Sequence, residues 1–95
     1  MYIQSKNILL QWNEEKNTHL KETRGICFEN VIEAITNNQY VMTPHPNPRY
    51  VHQLMIYFTH NNYYYACPFV LNDKEMFLKT VYPSRKAKKI IKGII

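Results

Sequence analysis

The sequence predicts an α+β domain: two N-terminal helices packed on an antiparallel sheet of about four strands, closed by a basic C-terminal helix. Three observations carry this. Phe28, Val31, Ile32 and Ile35 fall at i, i+3, i+4 and i+7, the spacing of one buried helical face. From Tyr40 onward apolar residues instead recur every second position, between clusters of turn-forming residues. The last segment, Arg85 to Ile95, sets Ala87, Ile90, Ile91, Ile94 and Ile95 beside its lysines, an apolar stripe on an otherwise cationic helix.

Residues Tyr2 to Gln11 include Ile8-Leu9-Leu10 ahead of Trp12 and form a short first strand or an N-terminal arm. Asn13 can cap a helix, with Glu14 and Glu15 in the first turn, where the macrodipole favours anions. That helix should run to about Arg24 and stop at Gly25, a residue free to adopt the left-handed conformation. Its apolar content is thin, Leu20 with Trp12 just before the cap, which leaves Lys16, His19, Lys21 and Arg24 near solvent. A second helix begins at Cys27 or Phe28 and ends at Asn37-Asn38, making a helical hairpin for one face of the sheet.

Tyr40 to Thr43 is a short strand, stopped by Pro44-His45-Pro46-Asn47-Pro48, a loop that its prolines make stiff and extended. Tyr50 to His60 reads as a long strand, with Leu54, Ile56 and Phe58 on one face and Val51, Gln53, Met55, Tyr57 and Thr59 on the other. Asn61-Asn62 is a two-residue hairpin turn, since asparagine tolerates positive φ. The return strand is Tyr63 to Leu71, in which Pro68 implies a bulge or a ladder position without an N–H. Asn72 to Glu75 closes a second hairpin into Met76 to Tyr82, a strand that Pro83 should end. Ser84 stands where a hydroxyl can cap the last helix.

At 95 residues and 45% hydrophobic content the chain supports one domain and one core. No run approaches the roughly 18 apolar residues of a membrane span. The first seven residues hold no apolar h-region or small-residue cleavage site, so no signal peptide is expected. Cys27 and Cys67 are far apart and form no metal-type pair, which suggests reduced thiols and a cytoplasmic protein. Net charge is +5, and Arg85, Lys86, Lys88, Lys89 and Lys92 supply five of the twelve cations. Such a block attracts a polyanion or an acidic protein.

Two segments carry a resemblance to a known family. The first is Trp12-Asn13-Glu14-Glu15-Lys16 followed by Gly25-Ile26-Cys27-Phe28-Glu29-Asn30-Val31. The second is Phe77-Leu78-Lys79-Thr80-Val81-Tyr82-Pro83-Ser84-Arg85-Lys86-Ala87. Together they resemble the BrnT family of type II toxin–antitoxin ribonuclease toxins. The resemblance implies a RelE-like fold, an RNA substrate and a translation-inhibiting activity. It also implies a cognate antitoxin, often DNA-binding, held in a toxin–antitoxin hetero-oligomer. The chain departs from the family pattern at Arg24, where histidine is common, and at Cys27, where serine usually caps the second helix.

The expected chemistry is metal-independent endoribonuclease cleavage, by 2′-OH attack on the adjacent phosphate. It needs a base, cations for the developing phosphorane charge and an acid for the leaving 5′-oxygen. There is no HExxH, no Cys/His cluster and no paired-carboxylate motif, so the sequence implies no metal or cofactor. Arg49 and Arg85 are the candidate phosphate clamp, because guanidinium grips phosphate through two parallel hydrogen bonds. Lys79 emerges at a sheet edge or points into a cleft, and Ser84 either orients the phosphate or caps the helix. His45, beside Arg49 in the proline loop, is the candidate acid or base. Lys86, Lys88 and Lys89, with Tyr64 for base stacking and His19 on the first helix, complete the expected RNA contacts. The alternative is a non-catalytic basic module that binds nucleic acid or an acidic protein.

Overall fold

The computed structural model describes residues 2–3 and 8–94. Met1 and residues 4–7, on which the leaderless reading rests, lie outside the described residues, as do Ile95 and the side chain of Ile94. The first helix, α1 (Glu14–Arg24), has the limits its capping residues dictate. Asn13 accepts the Lys16 N–H at 3.0 Å, and Gly25 takes the left-handed conformation at φ 65°. A Cβ at Gly25 would meet nothing within 4 Å, so only the backbone conformation resists substitution. Gly25→Ala should therefore cost about 1 kcal/mol, read as a lower urea midpoint with unchanged m-value.

Helix α2 (Phe28–Thr36) buries Phe28, Val31, Ala34 and Ile35. With cysteine at its cap, Asn30 reaches back and its Oδ1 accepts the Cys27 N–H at 3.0 Å. Both cysteines are free, Cys67 buried and Cys27 half-buried. Burial pushes both thiols above their ordinary range.

The strand segments are β1 (Tyr2–Ile3), β2 (Ile8–Gln11), β3 (Tyr40–Pro44), β4 (Leu54–His60), β5 (Tyr63–Asn72), β6 (Glu75–Leu78) and β7 (Tyr82–Pro83). They form one sheet in the order β1-β2-β6-β5-β4-β3, with β7 also paired to β5. The sheet is larger than the expected four strands, and it is mixed rather than antiparallel, because β2 runs parallel to β6. The α1–α2 hairpin carries the chain from β2 to β3 at the far edge, and the β3–β6 meander returns it to β2.

Two further expectations are corrected. The long strand starts at Leu54 and not at Tyr50, because Pro48–Tyr50 turns as a 3₁₀ helix. Asn47 caps that turn by accepting the Arg49 N–H at 3.0 Å, and the Gln53 N–H returns to the Tyr50 carbonyl at 2.8 Å. The final strand breaks after Leu78 and resumes at Tyr82 as the two-residue β7, which ends at Pro83 opposite Tyr65. Pro68 keeps register with Met55 on the β4 side, whereas on its other side the register slips by one residue between the Phe69–Leu78 and Ala66–Tyr82 pairs, and its carbonyl accepts the Lys79 N–H at 2.8 Å.

Helices cover both faces. Ile56, Phe58, Tyr65, Cys67, Phe69, Met76 and Leu78 pack with Leu20, Phe28, Val31 and Ile35 beneath α1 and α2. The alternate residues, Met55, Tyr57 and Ala66, pack against Ala87 and Ile91 of the third helix, α3 (Arg85–Ile94). One buried polar group lies in the first layer. Asn17, 0% exposed, accepts the Phe28 N–H at 2.8 Å and donates to Glu29 at 2.8 Å, tying α1 to the start of α2. None of the helices is long and apolar enough to cross a membrane.

Candidate nucleic-acid interface

Helix α3 begins where the sequence places it. The Ser84 N–H donates to the Tyr64 carbonyl at 2.9 Å, anchoring the corner to β5, and its Oγ accepts the Ala87 N–H at 3.1 Å. The capping role of Ser84 is thus realised. Ala87 and Ile91 face the sheet, which turns Arg85, Lys88, Lys89 and Lys92 outward at i, i+3, i+4 and i+7. Lys86 flanks that row. The row spans roughly 10 Å at the helical rise. All five cations are exposed, and none has an ion pair or side-chain hydrogen bond to another described residue.

Charge is segregated between the two faces of the sheet. α1 and α2 carry five carboxylates against three cations, whereas α3 carries five cations and no acid. The positive field is therefore concentrated on one layer and not averaged over the surface. Under α3 the floor is aromatic. Burial lifts the Tyr57 phenol, a hydrogen bond with Thr43 partly offsetting it, and burial with nearby Tyr57 lifts Tyr82. Both phenols stay neutral at physiological pH and act as packing groups there.

The remaining sequence candidates divide into separate places. His45 and Arg49 leave the end of the sheet where Pro44, Leu54 and Phe69 pair. Ser84 hangs on Tyr64, five residues back along β5, which is roughly 16 Å at the strand rise. Lys79 is anchored on Pro68, nearer the His45 end, and its ammonium lies 5.4 Å from the Phe77 ring centroid in a cation–π contact. The backbone anchors of Lys79 and of the loop bearing Arg49 thus lie four to five residues along β5 from the Ser84 anchor. His45 packs against Tyr50 with the rings tilted at 47° and their centroids 4.8 Å apart, and its Nδ1 accepts the Asn47 N–H at 3.1 Å. Its free nitrogen is therefore Nε2. His19 is exposed on α1, in the layer opposite α3. Tyr64 is half-buried against the α3 cluster. Arg24, at the departure from the family pattern, donates to the Val81 carbonyl at 2.6 Å and braces the break between β6 and β7.

Two features escaped the sequence reading. Asn17 gave no periodicity signal, being a polar residue on a polar helix. A cleft of about 640 Å³ at the β4–β5 turn is lined by Asn30, Glu33, Gln39 and Tyr64 among others. Its only sequence trace is the density of asparagines. No family model, curated protein or solved structure matches the chain. Its own side chains therefore carry the functional assignment.

Proposed function

We propose that this chain is an RNA-binding protein of the ribonuclease-toxin type, which holds the phosphate backbone along α3 and cleaves at the Ser84–Arg85 corner. The observation that carries it is the row of outward cations on α3, none of them neutralised by a described residue. Intramolecular partners would have offset such a row; unpartnered, it favours a polyanion. The order of helical hairpin, meander and basic helix agrees with the resemblance of Trp12–Val31 and Phe77–Ala87 to the BrnT family, and hence with a RelE-like topology. In this reading a cognate antitoxin covers α3 and keeps RNA from it.

Arg85 is the residue we assign to the phosphate. It follows the Ser84 cap, so its guanidinium and the first-turn amides of α3 lie at the same corner. Cleavage there forms a bond from the 2′-oxygen to phosphorus and breaks the bond to the 5′-oxygen. The 2′ proton passes to a base, and another proton reaches the departing oxygen. Arg85 offsets the charge that builds on the non-bridging oxygens.

Single-stranded RNA incubated with the wild-type chain in EDTA should be cut. Arg85→Ala should slow cutting by roughly 100-fold or more while retaining most of the binding. The separation of Arg49, His45 and Lys79 from Arg85 favours a second reading, a non-catalytic RNA-binding module. Tight binding with no cleavage in either chain would select it.

A further inference from the structure

We infer that the cleft at the β4–β5 turn is a base-binding site selective for guanine, placed so that the nucleotide's phosphate reaches the start of α3. The inference rests on the RNA-binding reading and names the part of the substrate that α3 cannot distinguish.

The cleft holds about 640 Å³, within the range of roughly 300–1,000 Å³ common for small-ligand sites. Its lining is mostly polar. Asn30, Gln39, Asn61 and Asn62 contribute carboxamides and Glu33 a carboxylate, with Ala34, Thr59, His60 and Tyr64 completing it. Asn61 and Asn62 are explained in part by their turn, where φ is 50° and 66°. Gln39 has no such explanation, and the capping role of Asn30 at α2 uses only its Oδ1. The side chains of Gln39, Asn61, Asn62 and Glu33 make no hydrogen bond or ion pair with other described residues. Asn30 spends only its Oδ1, on Cys27, and keeps both N–H donors.

No lysine or arginine lines the cleft, and His60 is the one basic side chain beside the Glu33 carboxylate, so the lining is poorly suited to a phosphate. The occupant is therefore an uncharged group that presents donors to a carboxylate and acceptors to amides. Among the RNA bases guanine fits best. Its N1–H and 2-amino group are parallel donors for the two carboxylate oxygens, and its O6 and N7 accept from carboxamide N–H groups. Adenine lacks the imino N–H. Cytosine sets an acceptor beside its amine, and uracil flanks its imino N–H with two acceptors.

Tyr64 connects the cleft to the phosphate row. It lines the cleft, packs against the α3 cluster, and its carbonyl holds the Ser84 N–H at 2.9 Å. Tyr64 is thus the residue shared by the cleft, on the α2 side, and by the Ser84–Arg85 corner, on the α3 side, at the same end of the sheet. α3 then supplies affinity without sequence preference, and the cleft supplies the choice of base.

The test titrates the wild-type chain, Glu33→Gln and Gln39→Ala with GMP, AMP, CMP and UMP in EDTA, following backbone amide shifts by NMR. GMP should move the amides of Asn30–Gln39 and Thr59–Tyr64 and bind roughly tenfold or more tightly than AMP. Glu33→Gln should abolish that preference. Gln39→Ala should weaken GMP more than AMP. Equal binding of all four nucleotides, a preference that survives Glu33→Gln, or shifts confined to α3 would overturn the site. If RNA binding still depends on the α3 cations in those cases, the RNA-binding reading stands and only the cleft assignment falls. GMP binding that Glu33→Gln removes, in a chain with no affinity for RNA, would keep the cleft and discard that reading.

Discussion

Asn17→Ala is expected to destabilise the domain by about 3 kcal/mol, lowering the melting temperature by roughly 15 °C. Asn17 is fully buried, and its carboxamide bridges the two helices. Alanine leaves the Phe28 N–H without an acceptor inside the core and removes the donor to Glu29. An unpaired buried amide costs more than the bond itself contributes, because water cannot replace the lost partner. Asn17→Asp keeps the acceptor for Phe28 but sets a second carboxylate against Glu29, so it should also destabilise the fold at neutral pH.

The same contact has a pH signature. The Asn17 hydrogen bond holds the Glu29 carboxyl below its ordinary range, burial opposing it and Lys21 assisting. A depressed folded-state value contributes stability above the unfolded pKa, lost as pH falls through the lower folded value. Urea midpoints of the wild-type chain should therefore fall through the acid range in part because of Glu29. In Asn17→Ala that component should be smaller. An Asn17→Ala chain with wild-type melting and an unchanged acid profile would refute the assigned bridge.

Replacing Arg85, Lys88, Lys89 and Lys92 together by glutamine is expected to weaken single-stranded RNA binding by roughly two orders of magnitude or more at low salt. The slope of log affinity against log salt should flatten by about 2 to 3, since each neutralised phosphate releases about 0.7 counterion from a single strand. These residues are exposed, and glutamine is a good helix former, so the variant should keep its fold and circular dichroism. Replacing Lys16, Lys21 and Arg24 on the opposite layer should leave the slope nearly unchanged, though Arg24→Gln also removes the bond to Val81. Equal salt slopes for the α3 variant and the wild-type chain would contradict the assignment of α3 to the phosphate backbone.

Features legible in the sequence share one property: their determinants lie within about four residues of one another. Asn13 and Gly25 delimit α1, Phe28 to Ile35 state the buried face of α2, and Asn61-Asn62 form the turn between β4 and β5. Ser84 starts α3 three residues before the amide it caps. Each is a local hydrogen bond or periodicity, so neighbouring residues suffice to reveal it.

The missed features depend on residues far apart in the chain. The 3₁₀ turn at Pro48–Tyr50 is a partial exception; its cap is local, but the preceding prolines suggested an extended loop. The pairing of β2 with β6 joins Leu9 to Glu75, which no pattern in either strand could announce. Asn17 gains its role from Phe28 and Glu29, placed beside it by the helical hairpin.

By itself the sequence determined the element types, most of their limits and the concentration of positive charge on the last helix. Tertiary structure alone decided that α3 covers the face opposite α1 and α2, that Arg49 and His45 stand at the other end of the sheet from Arg85, and that α2 meets the β4–β5 turn in a carboxamide-lined cleft. The reason is physical: helix caps, turns and amphipathic faces arise from short-range bonding and burial, whereas a binding surface arises from strand register and layer packing between segments that the chain keeps far apart.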